Sequence, residues 1–141
     1  MKRTASAVWQ GSLKDGNGTV STESAVLSQT PYSFRTRFEN DPGTNPEELI
    51  AAAHAGCFSM SLSAELGEVN VTPEFIRTTA SLTMERIDAG WTITAVHLDV
   101  AVKAPSADQT AIDTAAGNAK AGCPVSRVLN AKITMAATLE P

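Results

Sequence analysis

The chain has 141 residues, of which 43% are hydrophobic and 18% are charged, with a formal net charge of −4. This length and composition are typical of one globular domain, so we expect a single domain over residues 1–141. A net negative charge without a Lys/Arg cluster argues against a nucleic-acid partner, because phosphate contacts supply most of that affinity. No uninterrupted apolar run approaches the roughly 18 residues of a membrane span. We therefore expect no membrane insertion and a cytoplasmic location.

The chain contains two cysteines, Cys57 and Cys123. In a reducing compartment such a pair stays as free thiols unless it is catalytic or redox-sensing, so it is a first indication of redox chemistry. The alternative is that both are inert core residues, since free cysteine is among the most buried residue types.

Three segments of the N-terminal third have the alternating pattern of β-strands: residues 4–9, 18–22 and 33–38. The third segment reads S-F-R-T-R-F. In a strand its two aromatic residues share one face, and Arg35 and Arg37 share the other. We therefore expect Arg37 to point away from the aromatic side chains.

A long helix is predicted to follow. Asn45 can cap it, Pro46 suits its first turn, Glu48 can close a capping box, and Gly67 offers a stop. The residues between are apolar or small on almost every face, so the helix must be buried nearly all round. One small sheet gives too little cover, and we therefore expect an obligate dimer in which two chains bury these helices together.

The second half of the chain again has the alternating pattern of β-strands. Strands are predicted over residues 75–84, 91–103 and 131–139, with Asp88 to Gly90 as a hairpin turn between the first two. Ser106 can cap a second helix that ends at Gly122, and Pro124 suits the start of a short third helix, which places Cys123 at its N-cap. The element order predicts an α+β fold.

A cysteine that reduces peroxides must react as a thiolate, which needs a stabilising positive charge. Arg37 is the candidate cation, because a guanidinium stays charged and can bridge a thiolate and a carboxylate. Glu47 is the obvious carboxylate to orient it, whereas Arg35 fits a surface charge. A helix N-terminus lowers a thiol pKa and so favours Cys123, while Cys57 lies in mid-helix. The residues alone leave the identity of the nucleophile open.

His54 lies three residues before Cys57 on the same face of the predicted helix. It raises two alternatives, a Cys–His nucleophile and a metal site completed by Cys123 and His97. A metal site would need three or four converging ligands, and the sequence has no paired ligand spacing. A structural histidine with a satisfied hydrogen bond is the favoured interpretation.

Two motifs, NPEELIAAAHAGCFSM (45–60) and AGCPVSRVL (121–129), resemble the paired motif of the OsmC/Ohr hydroperoxide reductases. Segments 20–27 and 29–39 are similar to the OsmC branch of that family, and the similarity extends from Ala7 to Leu139. The resemblance implies an α+β fold that forms an intertwined homodimer, with antiparallel sheets wrapped around long central helices.

The resemblance also implies a site. By position Cys57 matches the peroxidatic cysteine, Cys123 the resolving cysteine, Arg37 the activating arginine and Glu47 its carboxylate partner. A departure is Gly56, which stands where the family often has Ala and costs about 1 kcal/mol of helix propensity. The implied activity reduces an organic hydroperoxide to an alcohol through a sulfenic acid and then a disulfide. An external dithiol reopens the disulfide, for which the Ohr branch of the family suggests a lipoyl group, and no metal, flavin or haem cofactor is required.

Two further expectations concern the site. Phe38 and Phe58 are expected to line an apolar pocket that favours bulky organic peroxides over hydrogen peroxide. Ten residues of helix, about 15 Å, separate Glu47 from Cys57. Either the helix breaks near its start or the carboxylate comes from the other subunit, and we favour the second: Arg37 and Glu47 are expected to come from the partner chain. The alternative function is a non-catalytic stress protein that senses redox state or binds a small molecule.

Overall fold

The computed structural model describes every residue from Met1 to Pro141, and the chain divides into two compact units, Met1–Leu49 and Ile50–Pro141. It contains six strands and four helices, and the strands form two three-stranded sheets. The predicted α+β class is confirmed. The assignment of residues 1–141 to a single domain stays a prediction.

The N-terminal unit contains an antiparallel sheet with strand order β1-β2-β3. Strands β1 (Ala5–Gln10) and β2 (Asn17–Thr22) lie within one residue of their predicted bounds, whereas β3 (Thr30–Tyr32) was not predicted. Gly18 of β2 lies under two aromatic rings, those of Trp9 and Tyr32, whose centroids are 5.5 Å apart. A Cβ at Gly18 would come within 2.6 Å of both rings, so their packing across the sheet requires glycine.

The segment predicted as a third strand at 33–38 is instead a short helix, α1 (Phe34–Phe38). Ser33 caps it in a reciprocal capping box, in which the Ser33 hydroxyl accepts from the backbone N–H of Thr36 and the Thr36 hydroxyl accepts from that of Ser33. The strand prediction was wrong because Phe34 and Phe38 also satisfy helical spacing. One turn apart, their rings pack with centroids 4.8 Å apart.

The long helix α2 spans Pro46–Glu68 without interruption. Asn45 caps it as predicted, since its side-chain oxygen accepts from the backbone N–H of Glu48 at 2.8 Å. The predicted capping box does not close, because the Glu48 carboxylate accepts from the Thr44 hydroxyl at 2.8 Å.

One stripe of α2 is buried within the single chain, made by His54, Phe58, Leu62 and Leu66. The side opposite this stripe is open, and Met60 is 78% exposed there. Burial nearly all round therefore stays a prediction that requires a second chain. By length and composition alone α2 could also cross a membrane, with a mean hydropathy of 1.3 over its 18-residue window. Buried core helices share this property.

The C-terminal unit contains the second sheet, formed by β4 (Phe75–Ile87), β5 (Gly90–Lys103) and β6 (Lys132–Leu139) in that order. Strands β4 and β5 form the predicted antiparallel hairpin, but β5 and β6 are parallel. The expected antiparallel pairing thus holds for the first sheet and for β4 with β5, but not for β5 with β6. The connection from β5 to β6 contains helices. It returns the chain to the end of the sheet at which β5 begins, as parallel pairing requires.

Two helices make this connection: α3 (Gln109–Gly122) and α4 (Pro124–Val128). Asp108, not Ser106, caps α3, and its carboxylate accepts from the backbone N–H of Ala111 at 2.8 Å. Cys123 lies between the two helices, at the C-cap of α3 and the N-cap of α4, and Pro124 begins α4 as predicted.

The core of the C-terminal unit lies between α2, β5 and α3. The buried leucines of α2 pack with alternate residues of β5 and with the small face of α3: Val96, Leu98, Val100, Val102, Ile112, Ala115, Ala116 and Ala119. Alanine on the inner face of α3 allows a close approach, which fixes Cys123 at the end of α3 relative to α2.

Candidate active site

The two cysteines lie side by side in the C-terminal unit. Cys57 comes from the middle of α2 and Cys123 from the junction of α3 and α4, and their Sγ atoms are 2.9 Å apart. Both are free thiols; Cys123 is 0% exposed and Cys57 is partly exposed. The fold thus brings together two residues that are 66 positions apart in sequence. They are within reach of a disulfide bond.

The surroundings of the two thiols shift their pKa values in opposite directions. Burial and the neighbouring Cys123 raise the pKa of Cys57, against smaller lowering effects from the backbone at Val125 and the Ser61 hydroxyl. Burial also acts to raise the pKa of Cys123, but hydrogen bonds with Cys57 and Ser126, together with the backbone at Ser126 and Val125, outweigh it and lower that pKa.

No cation is among the groups that act on the Cys57 thiol. Burial is the largest of the effects that raise the pKa of Cys57. A reactive Cys57 thiolate therefore requires a positive charge that these surroundings do not supply.

Arg37 and Glu47 form an ion pair within the N-terminal unit. The Arg37 guanidinium donates from Nε to both carboxylate oxygens, at 3.1 and 3.2 Å, and from Nη2 to Oε1 at 2.7 Å. Glu47 is only 14% exposed while Arg37 is 36% exposed. The guanidinium carbon also lies 5.2 Å from the centroid of the Phe38 ring. The arginine is thus held from one side, and part of its surface stays accessible.

Arg35 is a surface charge, as predicted. Its side chain is 65% exposed and forms ion pairs with Asp41 at 2.9 Å and Glu39 at 3.5 Å. Because α1 is a helix and not a strand, Arg35 and Arg37 do not share a face. Arg37 is therefore the arginine of this segment that is paired with a largely buried carboxylate.

An apolar pocket of about 230 Å³ adjoins Arg37, and it is lined by Trp9, Leu13, Tyr32, Ser33, Phe34, Arg37 and Phe38. Phe38 lines it as predicted. Phe58 does not line a pocket, because it is 0% exposed in the core of the C-terminal unit. The sequence did not indicate the other aromatic walls, because the pairing of β1 and β3 through β2 brings Trp9 beside Tyr32.

His54 is a buried structural histidine with one satisfied nitrogen. Its Nε2 is 2.8 Å from the Ser126 hydroxyl, whereas its buried Nδ1 has no hydrogen-bond partner. His97 has a different partner: its Nδ1 is 2.7 Å from the Thr134 hydroxyl. The structure contains no group of three or more His, Cys, Asp or Glu side chains placed to hold a metal ion.

Burial lowers the pKa of His54, which has a testable effect on stability. As pH falls below about 6.5, the unfolded chain gains a proton on His54 that the native chain does not yet accept. The free energy of unfolding should therefore fall, by at most about 1.4 kcal/mol per pH unit from this group. We expect denaturant midpoints at pH 7 and pH 5.5 to differ less in His54→Gln than in the wild type. Equal differences would contradict the burial of a neutral His54.

A sequence profile of the OsmC-like protein family matches residues 38–138 of the chain. The chain is 56% identical over 129 residues to a protein named peroxiredoxin OsmC from Escherichia coli strain K12, an alignment that covers 92% of this chain and 90% of the relative. A protein of the same name from Shigella flexneri matches to the same extent.

Solved structures share the fold. The chain superposes with a TM-score of 0.76 on an organic hydroperoxide resistance protein from Elizabethkingia anophelis, at 20% identity and 99% coverage of both chains. It superposes with a TM-score of 0.78 on an OsmC-like protein from Mycoplasma pneumoniae, at 16% identity, covering 100% of this chain and 99% of the other. At these identities the likeness shows the fold.

Proposed function

The chain belongs to the OsmC-like protein family, and we propose that it is a cysteine-based peroxidase that reduces organic hydroperoxides to alcohols. The observation that carries this proposal is the 2.9 Å separation of the Cys57 and Cys123 sulfurs. A pair of free thiols at this distance can be oxidised to a disulfide and reduced again without rearrangement of the helices that carry it. The name peroxiredoxin given to the 56% identical relative supports the same chemistry.

In the first step, the Cys57 thiolate attacks the distal oxygen of the hydroperoxide. The O–O bond breaks, the sulfur gains the hydroxyl group as a sulfenic acid, and the alkoxide leaves and takes a proton to become the alcohol. The peroxide is reduced by two electrons and the Cys57 sulfur is oxidised by two. Arg37 stabilises the thiolate before attack and donates hydrogen bonds to the peroxide oxygens.

In the second step, the Cys123 sulfur attacks the sulfenic sulfur of Cys57. The S–O bond breaks, the disulfide forms, and the hydroxide that leaves takes a proton to become water. An external dithiol then reduces the disulfide by thiol–disulfide exchange and returns both cysteines to thiols. We propose a lipoyl dithiol as this reductant.

The working form in this proposal is a homodimer whose partner chain supplies Arg37 and Glu47. Continuous α2 separates Glu47 from Cys57 by about 15 Å along its axis, and Arg37 is anchored to Glu47 by three hydrogen-bond contacts. The exposed side of α2 around Met60 supports burial against a second chain.

The pocket beside Arg37 supports an organic substrate. Its walls include the rings of Trp9, Tyr32, Phe34 and Phe38, which can cover an alkyl or aryl tail while the guanidinium meets the peroxide group. Hydrogen peroxide has no tail and gains nothing from these walls. We therefore propose selectivity for bulky organic hydroperoxides.

A steady-state assay with excess dithiol tests the function. We expect multiple turnovers of cumene hydroperoxide and a kcat/KM at least about tenfold above that for hydrogen peroxide, because each buried apolar group adds binding energy.

One equivalent of peroxide should convert Cys57 and Cys123 to an intrachain disulfide, detected by peptide mass spectrometry. A single stoichiometric oxidation without turnover would instead indicate a redox sensor, and an unchanged thiol count would indicate inert core cysteines.

A further inference from the structure

The two cysteines differ in how far the chain covers them. Cys123 is 0% exposed and belongs to the core cluster of the C-terminal unit, whereas Cys57 packs against that cluster and stays partly exposed. A second chain can only add cover, so Cys123 stays buried in a dimer. Cys57 has to be reachable in the working protein, because the proposed reaction brings a hydroperoxide to its sulfur.

The backbone of Cys123 is fixed on both sides. Its N–H donates to the carbonyl oxygen of Ala119 at 2.8 Å, and its carbonyl oxygen accepts from the N–H of Arg127 at 3.0 Å. The first of these bonds belongs to the end of α3 and the second to the first turn of α4. Ala119 is itself 1% exposed. To bring the Cys123 sulfur to the surface, the junction of the two helices would have to open.

Thiol–disulfide exchange is directional. The incoming thiolate attacks one sulfur in line with the S–S bond, from the side opposite the sulfur that leaves. An attack on Cys123 would have to come from the side that faces away from Cys57, through the core cluster to which Cys123 belongs. An attack on Cys57 comes from the side that faces away from Cys123, and Cys57 is the partly exposed member of the pair.

We propose that the reducing dithiol attacks the Cys57 sulfur of the disulfide and that Cys123 is the leaving group. This inference rests on the proposed peroxidase function and names the sulfur at which its reducing half begins. The bond between the two protein sulfurs breaks as a bond between the dithiol and Cys57 forms, and Cys123 leaves as a thiolate that takes up a proton. The second thiolate of the dithiol then attacks its own first sulfur and releases Cys57 as a thiolate. The dithiol ends as a cyclic disulfide, oxidised by two electrons, and the protein disulfide is reduced by two.

The leaving sulfur stays beside the mixed disulfide. In the reduced chain it lies 2.9 Å from the Cys57 sulfur, so it competes with every second thiol that arrives. Groups held within reach of each other react at an effective concentration far above that of a free thiol in solution. Cys123 therefore expels a monothiol from Cys57, and the intrachain disulfide forms again. A compact dithiol escapes this return because its own second sulfur is held equally close, so the geometry selects a reductant with both thiols on one short carrier.

Trapping the mixed disulfide identifies the attacked sulfur. The intrachain disulfide is made with diamide, so that no peroxide is needed, and is treated with excess 2-mercaptoethanol. Acid stops the reaction after a series of short times, N-ethylmaleimide labels the freed thiol, and mass spectrometry locates both groups. We expect at least about tenfold more mercaptoethanol on Cys57 than on Cys123, because access selects the attacked sulfur. Mercaptoethanol on Cys123 in equal or greater amount would overturn the proposal.

The unfolded chain is the matched control. In guanidinium chloride both sulfurs of the same disulfide are exposed, so the monothiol should be found on the two cysteines in similar amounts. A preference for Cys57 that persists unchanged after unfolding would come from the neighbouring sequence and not from burial. That result would also overturn the proposal.

The single-cysteine variants test burial without a disulfide. Cys57→Ser keeps only Cys123, and Cys123→Ser keeps only Cys57. Circular dichroism checks that each variant is folded. For each one, the rate of reaction with N-ethylmaleimide in guanidinium chloride is divided by the rate in the native state. We expect this ratio to be at least about tenfold larger for Cys123 than for Cys57, since reactivity follows exposure. Equal ratios would overturn the proposal even where the mixed disulfide is too short-lived to trap.

The kinetic order in thiol tests the return step. Reduction of the diamide-made disulfide should be first order in dithiothreitol. With 2-mercaptoethanol it should approach second order, because a second molecule has to arrive before Cys123 closes the disulfide again. First-order reduction by the monothiol would refute the selection of a dithiol.

Failure of this inference is distinguishable from failure of the proposed function, because none of these measurements uses peroxide. Attack on Cys123 would refute the assignment of the attacked sulfur and leave the peroxidase function intact. If attack falls on Cys57 but cumene hydroperoxide leaves both thiols unchanged, the proposed function fails while the assignment holds.

Discussion

Cys57→Ser is expected to abolish peroxide reduction, whereas Cys123→Ser should consume about two equivalents of peroxide per chain, one for each oxidation of Cys57, and then stop. The serine hydroxyl at position 57 is not ionised at neutral pH and cannot attack the O–O bond. Without Cys123 the sulfenic acid on Cys57 has no neighbouring thiol in its own chain to condense with. It should therefore react with further peroxide and reach the sulfinic acid, which the dithiol does not reduce.

The thiol pKa values within the C-terminal unit run against this assignment. There the pKa of Cys57 is raised, first by burial, and hydrogen bonds lower that of Cys123. If no cation reached Cys57, Cys123 would hold the negative charge and would be the first nucleophile. Cys123→Ser would then be the inactive variant, and Cys57→Ser would show the single attack.

Rapid mixing with one and then several equivalents of cumene hydroperoxide distinguishes the two cases. Intact-mass spectrometry of each variant reports the number of oxygen atoms added, and trapping with a sulfenic-acid reagent before digestion reports which cysteine carries the first one. Addition of the first oxygen to Cys123, or equal rates of attack in the two variants, would contradict the roles proposed for the pair.

The sequence identified the residues of the candidate site but not the contact between Cys57 and Cys123. Asn45 and Pro46 mark the start of α2, and Pro124 marks the start of α4, because capping residues and proline act through local backbone chemistry. The contact between Cys57 and Cys123 has no local signal. It depends on the packing of α3 against α2, which no spacing in the sequence encodes.

The errors have similar causes. Ser33 to Phe38 satisfies a period of two and a helical period at once, and over six residues only the reciprocal bonds of Ser33 and Thr36 decide between them. Phe58 follows Cys57 on a helix that is apolar on most faces. The sequence could not tell which of these two neighbours faces the core, and the structure buries Phe58 completely.

Mixing Cys57→Ser chains with Arg37→Ala chains is expected to restore activity that neither parent has. Cys57→Ser lacks the nucleophile. Arg37→Ala lacks the cation that lowers the Cys57 pKa, and loss of one charge-assisted contact should slow attack at neutral pH about ten- to a hundredfold. Arg35→Ala should have little effect, because Arg35 is paired with Asp41 and Glu39 at the surface.

The restored activity follows from the two pairs of site residues that are in contact within one chain. Cys57 lies beside Cys123, and Arg37 is bonded to Glu47, so each defective chain still carries one intact half of the proposed site. In a heterodimer, the thiol pair of the Arg37→Ala chain meets the arginine of the Cys57→Ser chain and forms one complete site. Random exchange of equal amounts makes half of the dimers mixed, so about a quarter of all sites should be complete.

Two control mixtures show whether recovery comes from pairing intact halves. Cys57→Ser with Cys123→Ser, and Arg37→Ala with Glu47→Ala, each place both lesions in the same half, and no mixed dimer of either kind can assemble a complete site. Subunit exchange is verified by mass-tagged chains before activity is measured. Recovery to about a quarter of wild-type activity in the first mixture alone is expected from a site shared across the two-fold axis. Verified heterodimers that stay at parental activity would place all four residues on one chain, and α2 would then have to bend between Glu47 and Cys57 in the working protein.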